Sequence, residues 1–214
     1  MSLFSRLAEK SWETPGIQGF AEPDSYRPTA AKVGLYFYFG VAFVLFSLII
    51  MAYLVRMDVG LHGSAEHGTG GDWQAMPKPP LLWVNSAVLV ASSLAWETAR
   101  RAASELDRER MRRTALIGAG LGLLFLAGQL LLWQQYKAAG YYLASNPANS
   151  FFYLLTSVHG LHLVGGVVAC ARAVGQLGDG AEECRAFRNI GLCAIYWHFL
   201  LLVWILVAVL LVLT

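Results

Sequence analysis

Apolar and polar positions divide the chain into five long apolar stretches joined by charged or glycine- and proline-rich connections. The stretches cover residues 33–55, 81–95, 115–133, 151–171 and 191–213. A hydrocarbon core about 30 Å thick takes roughly 20 helical residues to cross. The second stretch is short unless residues 96–99 continue it, with Glu97 at the boundary. The pattern predicts an all-α, polytopic membrane protein with five transmembrane helices, in which an arm (1–31) precedes a five-helix domain (32–214). Composition fits: 57% of the 214 residues are hydrophobic and 14% charged, with mean hydropathy +0.50, more apolar surface than a soluble domain needs.

Cytoplasmic loops retain Lys and Arg, so the basic residues set an orientation. Arg6, Lys10, Arg27 and Lys32 precede the first stretch. Arg100, Arg101, Arg108, Arg110, Arg112 and Arg113 follow the second, and Arg172, Arg185 and Arg188 follow the fourth. The opposite side has Arg56, Lys78 and Lys137. This places the N-terminus in the cytoplasm and the C-terminus outside. The net charge of +2 is then a topology signal, and no basic patch with interleaved aromatics suggests nucleic acid. The first thirty residues lack the apolar core of a cleavable signal peptide, so the first helix is expected to serve as the insertion signal. Trp12, Phe20 and Tyr26 lie among Pro15, Gly16, Pro23 and Pro28, which suits an extended arm that could dock on a partner. Residues 60–80 read as an outer loop, and 105–113 as a solvated, charge-laced helical connection.

Candidate chemistry is sparse. Cys170, Cys184 and Cys193 fall near the cytoplasmic face, where free thiols are expected, and no C-x-x-C is present. Gly118, Gly120 and Gly122 on the third helix and Gly160, Gly165 and Gly166 on the fourth suggest close helix approach. Ionisable groups deep in the spans are restricted to His159, His162 and His198, which argues against an ion-coupled transporter or a proton relay in this chain alone. His162 and His198 come to similar depths, so a bis-histidine haem is geometrically open. Haem propionates would want basic partners that the spans lack, and histidines hydrogen-bonded between the fourth and fifth helices are the expectation. His62 and His67, with Glu66 and Asp72, lie among glycines and read as a flexible loop ahead of a metal site.

Residues 156–166, T-S-V-H-G-L-H-L-V-G-G, and 196–205, Y-W-H-F-L-L-L-V-W-I, resemble the H-G-x-H and [YF]-W-H-F-x-D-x-V-W signatures of subunit III of the haem-copper terminal oxidases. The likeness runs from Lys32-Val33-Gly34-Leu35 through 122–129 to the last helix, and matches bacterial members that lack two extra N-terminal helices. The family's glutamate in the first of these helices falls here on Ala42, its aspartate in the last helix on Leu201, and a glutamate often found after Gln129 near Leu132. Proton-related roles of those carboxylates therefore do not transfer.

The resemblance implies an accessory subunit of an oxygen-reducing respiratory complex in the bacterial inner membrane, with cytochrome c or quinol as donor. Haem and copper belong to subunits I and II. Subunit III packs against subunit I, helps maintain turnover and holds phospholipid in a cleft, here expected between the first two and the last three helices. No catalytic residue and no metal or other cofactor is expected in this chain. Trp83, Gln129, His159, His162, Tyr196, Trp197, His198 and Trp204 are the candidates for helix contacts or the lipid cleft, with Trp133 a second interfacial aromatic. Ala42 and Leu201 also keep open an accessory subunit of a nitric oxide reductase; a stand-alone membrane cytochrome b or channel is the third reading.

Overall fold

The computed structural model describes residues 29–62, 73–74, 76–175 and 183–213, the side chains of 62 and 183–186 excepted. The arm before residue 29, the loop histidines with Glu66 and Asp72, and the Cys184 side chain lie outside the described residues. Five α-helices are present among those described: α1 Ala30–His62, α2 Pro80–Ser104, α3 Arg108–Ala138, α4 Pro147–Gly175 and α5 Glu183–Leu213.

α1, α3, α4 and α5 are long and apolar enough to cross a membrane, which makes this a multi-pass membrane protein. The expected five crossings are thus supported for four helices. α2 is longer than its apolar run, and its 25 residues reach about 37 Å at 1.5 Å per residue. Its composition is what falls short, since Asn85, Ser92 and Ser93 interrupt the run. All three are buried, so the polar groups that lower its hydropathy face protein.

The chain divides into two compact units, Met1–Tyr36 and Phe37–Thr214. In the first, the described residues open α1, where the Lys32 and Val33 amides donate to the Thr29 carbonyl at 2.9 and 3.1 Å. In the second, α2 packs against α3 and α5, and α4 packs against the same two helices. These four enclose a core that includes Trp96, Phe125, Phe152, Leu163, Trp197 and Trp204. From Phe37 onward α1 joins them through aromatic side chains. Phe39 stacks on Phe199 with centroids 4.3 Å apart, and Phe46 and Tyr53 cluster with Leu155, Val203 and Val207. α2 is thus built into the bundle, with buried polar side chains on its seams with α3 and α5.

The connections are tightly formed. At the end of α2, Leu106 takes a left-handed φ of 57°. Its amide donates to Ala103 O at 3.3 Å, and the Asp107 amide to Ala102 O at 3.0 Å, satisfying carbonyls that a helix end leaves open. The Asp107 carboxylate then caps α3 by accepting from the Arg110 amide at 3.0 Å. The 105–113 run is thus a short turn followed by the first turns of α3. At the other end, the Tyr136 hydroxyl donates to Pro77 O and the Asn146 amide to Gln74 O, both at 2.7 Å. The Lys78 ammonium donates to Val212 O near the end of α5. These bonds fix where α2 starts.

Candidate functional site

The polar side chains inside the bundle form seams between helices. On the α2–α3–α5 seam, the Trp197 indole donates to Ser92 Oγ and Ser92 donates to the Gly118 carbonyl, each at 2.7 Å. The ring of Trp197 lies 5.3 Å from that of Trp96. Two glycines of α3 make room for these indoles. A Cβ on Gly122 would stand 2.6 Å from Trp197 Cζ2, and one on Gly118 would stand 2.9 Å from Trp96. Two turns further, the Asn85 amide donates to Gln129 Oε1 at 3.2 Å, and a Cβ on Gly128 would meet Asn85 Oδ1 at 2.3 Å. On α4, Gly166 admits Tyr196, whose Cε1 lies 2.5 Å from the Cβ position. Of the glycines singled out from sequence, Gly118, Gly122 and Gly166 permit close approach; Gly160 has one ordinary contact, and Gly120 and Gly165 face open space.

His198 sits on the α2–α5 seam. Its Nδ1 is 2.7 Å from Ser93 Oγ and its Nε2 is 3.4 Å from a Glu97 carboxylate oxygen. This corrects the expectation of a hydrogen bond to α4, because the partners come from α2. Glu97 also accepts from Arg100 at 2.7 and 2.8 Å and from Arg101 at 3.1 Å. It lies past the apolar stretch 81–95, and the Arg100 hydrogen bond, followed by those of Arg101 and His198, holds its carboxyl down at about 2. The order serine, imidazole, carboxylate is that of a nucleophilic relay. Ser93 is 2% exposed, so no substrate carbonyl reaches it, and the arrangement serves as a tie between two helices.

His159 is fully buried, and neither ring nitrogen has a hydrogen-bond partner. Its neighbours are the rings of Trp204, Phe125 and Phe46, with centroids 5.1, 5.9 and 6.5 Å away. His162 turns elsewhere: its Nδ1 meets Val158 O at 2.7 Å, and the Tyr196 hydroxyl donates to His162 O at 2.7 Å. Tyr196 and Tyr38 also pair through their hydroxyls at 3.2 Å. These placements do not fit a haem. His162 is tied within α4, His198 to α2, and aromatic rings occupy the space around His159. Among the described residues no group of three or more His, Cys, Asp or Glu could hold a metal ion. Cys170 and Cys193 are free and buried.

The remaining sequence candidates are also placed. The Trp204 indole donates to Ser86 Oγ at 2.9 Å, the Trp133 indole donates to Thr156 Oγ1 at 3.1 Å, and Trp83 is half-exposed. Asn85, Ser86, Ser92, Ser93 and Gly128 were not singled out from sequence. The four on α2 left a signal as small polar residues interrupting the apolar run 81–95, in two adjacent pairs about two helical turns apart.

A family model described as cytochrome c oxidase subunit III matches residues 28–213. The probable cytochrome c oxidase subunit 3 of Mycobacterium tuberculosis (strain ATCC 25618 / H37Rv) is 29% identical over 183 residues, covering 84% of this chain and 85% of the relative. The probable subunit 3 of Nocardia farcinica is 29% identical over 188 residues, with the same coverage. The cytochrome c oxidase subunit 3 of Thermostichus vulcanus is 30% identical over 129 residues, covering 60% of this chain and 63% of the relative.

Proposed function

Since the chain belongs to the cytochrome c oxidase subunit III family, we propose that it is the non-catalytic accessory subunit of a bacterial haem-copper oxidase that reduces oxygen to water. In this reading it packs on subunit I, with subunit II in the same complex and the haems and copper on those partners. All five helices cross the inner membrane, α2 by way of its apolar stretch 81–95. The N-terminus is cytoplasmic and the C-terminus periplasmic, as the basic residues of the loops suggest, and the subunit binds phospholipid.

The observation that carries this reading is where the buried polar groups go. Ser92, Asn85, Gln129 and Ser93 each bond to a neighbouring helix, as do the indoles of Trp197 and Trp204. Side chains committed to helix contacts hold a scaffold together. Affinity purification of the tagged chain from mild detergent tests it. Haem- and copper-containing subunits with oxygen-reducing activity should accompany it. A nitric-oxide-reducing complex, or a chain purifying alone, would overturn the assignment.

A further inference from the structure

The turn between α2 and α3 holds its large apolar side chain out in the open. Leu106 stands just past the cap of α2, where its φ of 57° lets its own amide and that of Asp107 close the helix. Glycine is the usual occupant of that position and asparagine the next, because a Cβ in the left-handed region crowds the backbone. Leucine is therefore the poorer choice for the fold. Its side chain is 72% exposed, and every residue from Ser104 to Arg110 is exposed with it. A lone exposed leucine is ordinary; one kept on a disfavoured backbone points to a task for the side chain.

Lipid does not supply that task. With α2 and α3 crossing as proposed above, α2 runs nine helical residues, 96–104, beyond its apolar stretch, about 13 Å along the axis. α3 runs seven, 108–114, before its own apolar stretch opens, about 10 Å. The headgroup layer on each side is about 5–8 Å deep, so Leu106 stands in water beyond it. The surroundings are basic. Between residues 97 and 113 six arginines face four acids: Glu97 pairs with Arg100 and Arg101, Glu105 with Arg110, and Glu109 with Arg113, while Asp107 caps α3. An excess of two positive charges surrounds the apolar tip.

We infer that Leu106 is a docking anchor, whose side chain enters an apolar socket with an acidic rim on a water-exposed segment of a partner subunit. Removing the side chain from water offsets the disfavoured backbone, and the arginines complement the rim. A second copy of this chain would bring a like-charged turn to the same place. The inference rests on the accessory-subunit reading and adds to it a contact outside the membrane, away from the helix faces.

The test places a diazirine analogue of leucine at position 106 of the chain in the whole complex, purified in mild detergent, and maps the crosslinked peptide. The label should join this chain to one water-exposed peptide of a partner subunit that carries Asp or Glu beside apolar residues. Raised salt should lower the yield severalfold, since exposed charges are screened. Leu106→Gly and Leu106→Asn both suit the backbone, and each should release the chain from the immobilised complex severalfold faster during a detergent wash. Leu106→Met, apolar and of similar volume, should stay near wild type. Release of the Gly and Asn variants at or below the wild-type rate would overturn the anchor, because relief of the backbone would then be their only effect. So would a label that goes only to water, detergent or lipid, to residues 1–28 of the same chain, or to a second copy. Haem content of the same sample separates the two readings: absence of the haem subunits counts against the accessory role, whereas their presence without a crosslink counts against the anchor alone.

Discussion

Gly122→Ala puts the helix seam to its sharpest test. The added Cβ would stand 2.6 Å from Trp197 Cζ2, so relief to ordinary contact needs a displacement of nearly an ångström. The indole has little freedom to give it. Trp197 is fully buried, held by the 2.7 Å bond to Ser92 and backed by Trp96, which itself presses on Gly118. Overpacking of this kind costs about 1–3 kcal/mol. Loss of the Trp197–Ser92 bond would add about 0.6 kcal/mol, the average for polar side-chain pairs in a membrane protein. At 1.4 kcal/mol per tenfold, the overpacking alone lowers the folded-to-unfolded ratio roughly five- to 150-fold. The assay is a mixed-micelle denaturant titration of the purified complex, reading how much of this chain stays bound. Gly120→Ala, on the same helix but with nothing within 4 Å, is the control and should be neutral or slightly stabilising, since alanine is the better helix former by about 1 kcal/mol. Trp197→Phe combined with Gly122→Ala should cost less than the two changes summed, because the smaller ring removes the clash. Equal midpoints for Gly122→Ala and Gly120→Ala would refute the seam as described.

Gly128→Ala should likewise weaken retention of the chain by about 1–3 kcal/mol, and Asn85→Ala in the same molecule should recover part of it, as a two-variant denaturant cycle would show. His159→Phe should be neutral or stabilising, because it removes a buried group whose unmade hydrogen bonds cost about 1–3 kcal/mol; a lower denaturation midpoint or lost turnover would show that His159 has a polar task. His198→Phe should leave the haem spectrum and most turnover intact while loosening α2 from α5, read as a lower midpoint of retention. The Glu97 carboxyl is held below its ordinary 4.5 at about 2, so its stabilisation is complete above pH 4.5 and lost as pH falls toward 2. Wild type should accordingly be the more stable of wild type and Glu97→Gln above pH 4.5 in the same titration, with the gap narrowing as pH falls toward 2, and equal midpoints above pH 4.5 would contradict the ion pairs.

Much of the fold was legible because lipid allows so few solutions. Apolar runs of 19 or more residues must be helices, as α1, α3, α4 and α5 are. α2 was harder: its apolar run 81–95 ends at Ala95, yet the helix continues to Ser104, since Glu97 with Arg100 and Arg101 supports further turns through pairs three and four residues apart. Which helices are neighbours was not legible. Periodicity says which side of a helix is small or polar but not what it faces, so His198 was assigned toward α4 although Ser93 and Glu97 lie on α2. Gly128 escaped notice for a related reason. A single glycine in a leucine-rich run gains meaning only when Asn85 is seen against it. The family signatures around His159 and His198 were legible as a pattern, and the match over residues 28–213 agrees with that resemblance. The physical work of those histidines, one isolated among rings and one tied to α2, required coordinates.

The central claim is that this chain supports a redox complex without taking part in its chemistry. The most direct test is the visible spectrum and initial oxygen-reduction rate of the purified complex with the chain present and with its gene deleted. The complex without the chain should show the same reduced haem bands per mole of the remaining subunits and a comparable initial rate, with faster loss of activity during turnover. A haem band that disappears in proportion to this chain, or a complex that never reduces oxygen without it despite a full haem complement, would contradict it.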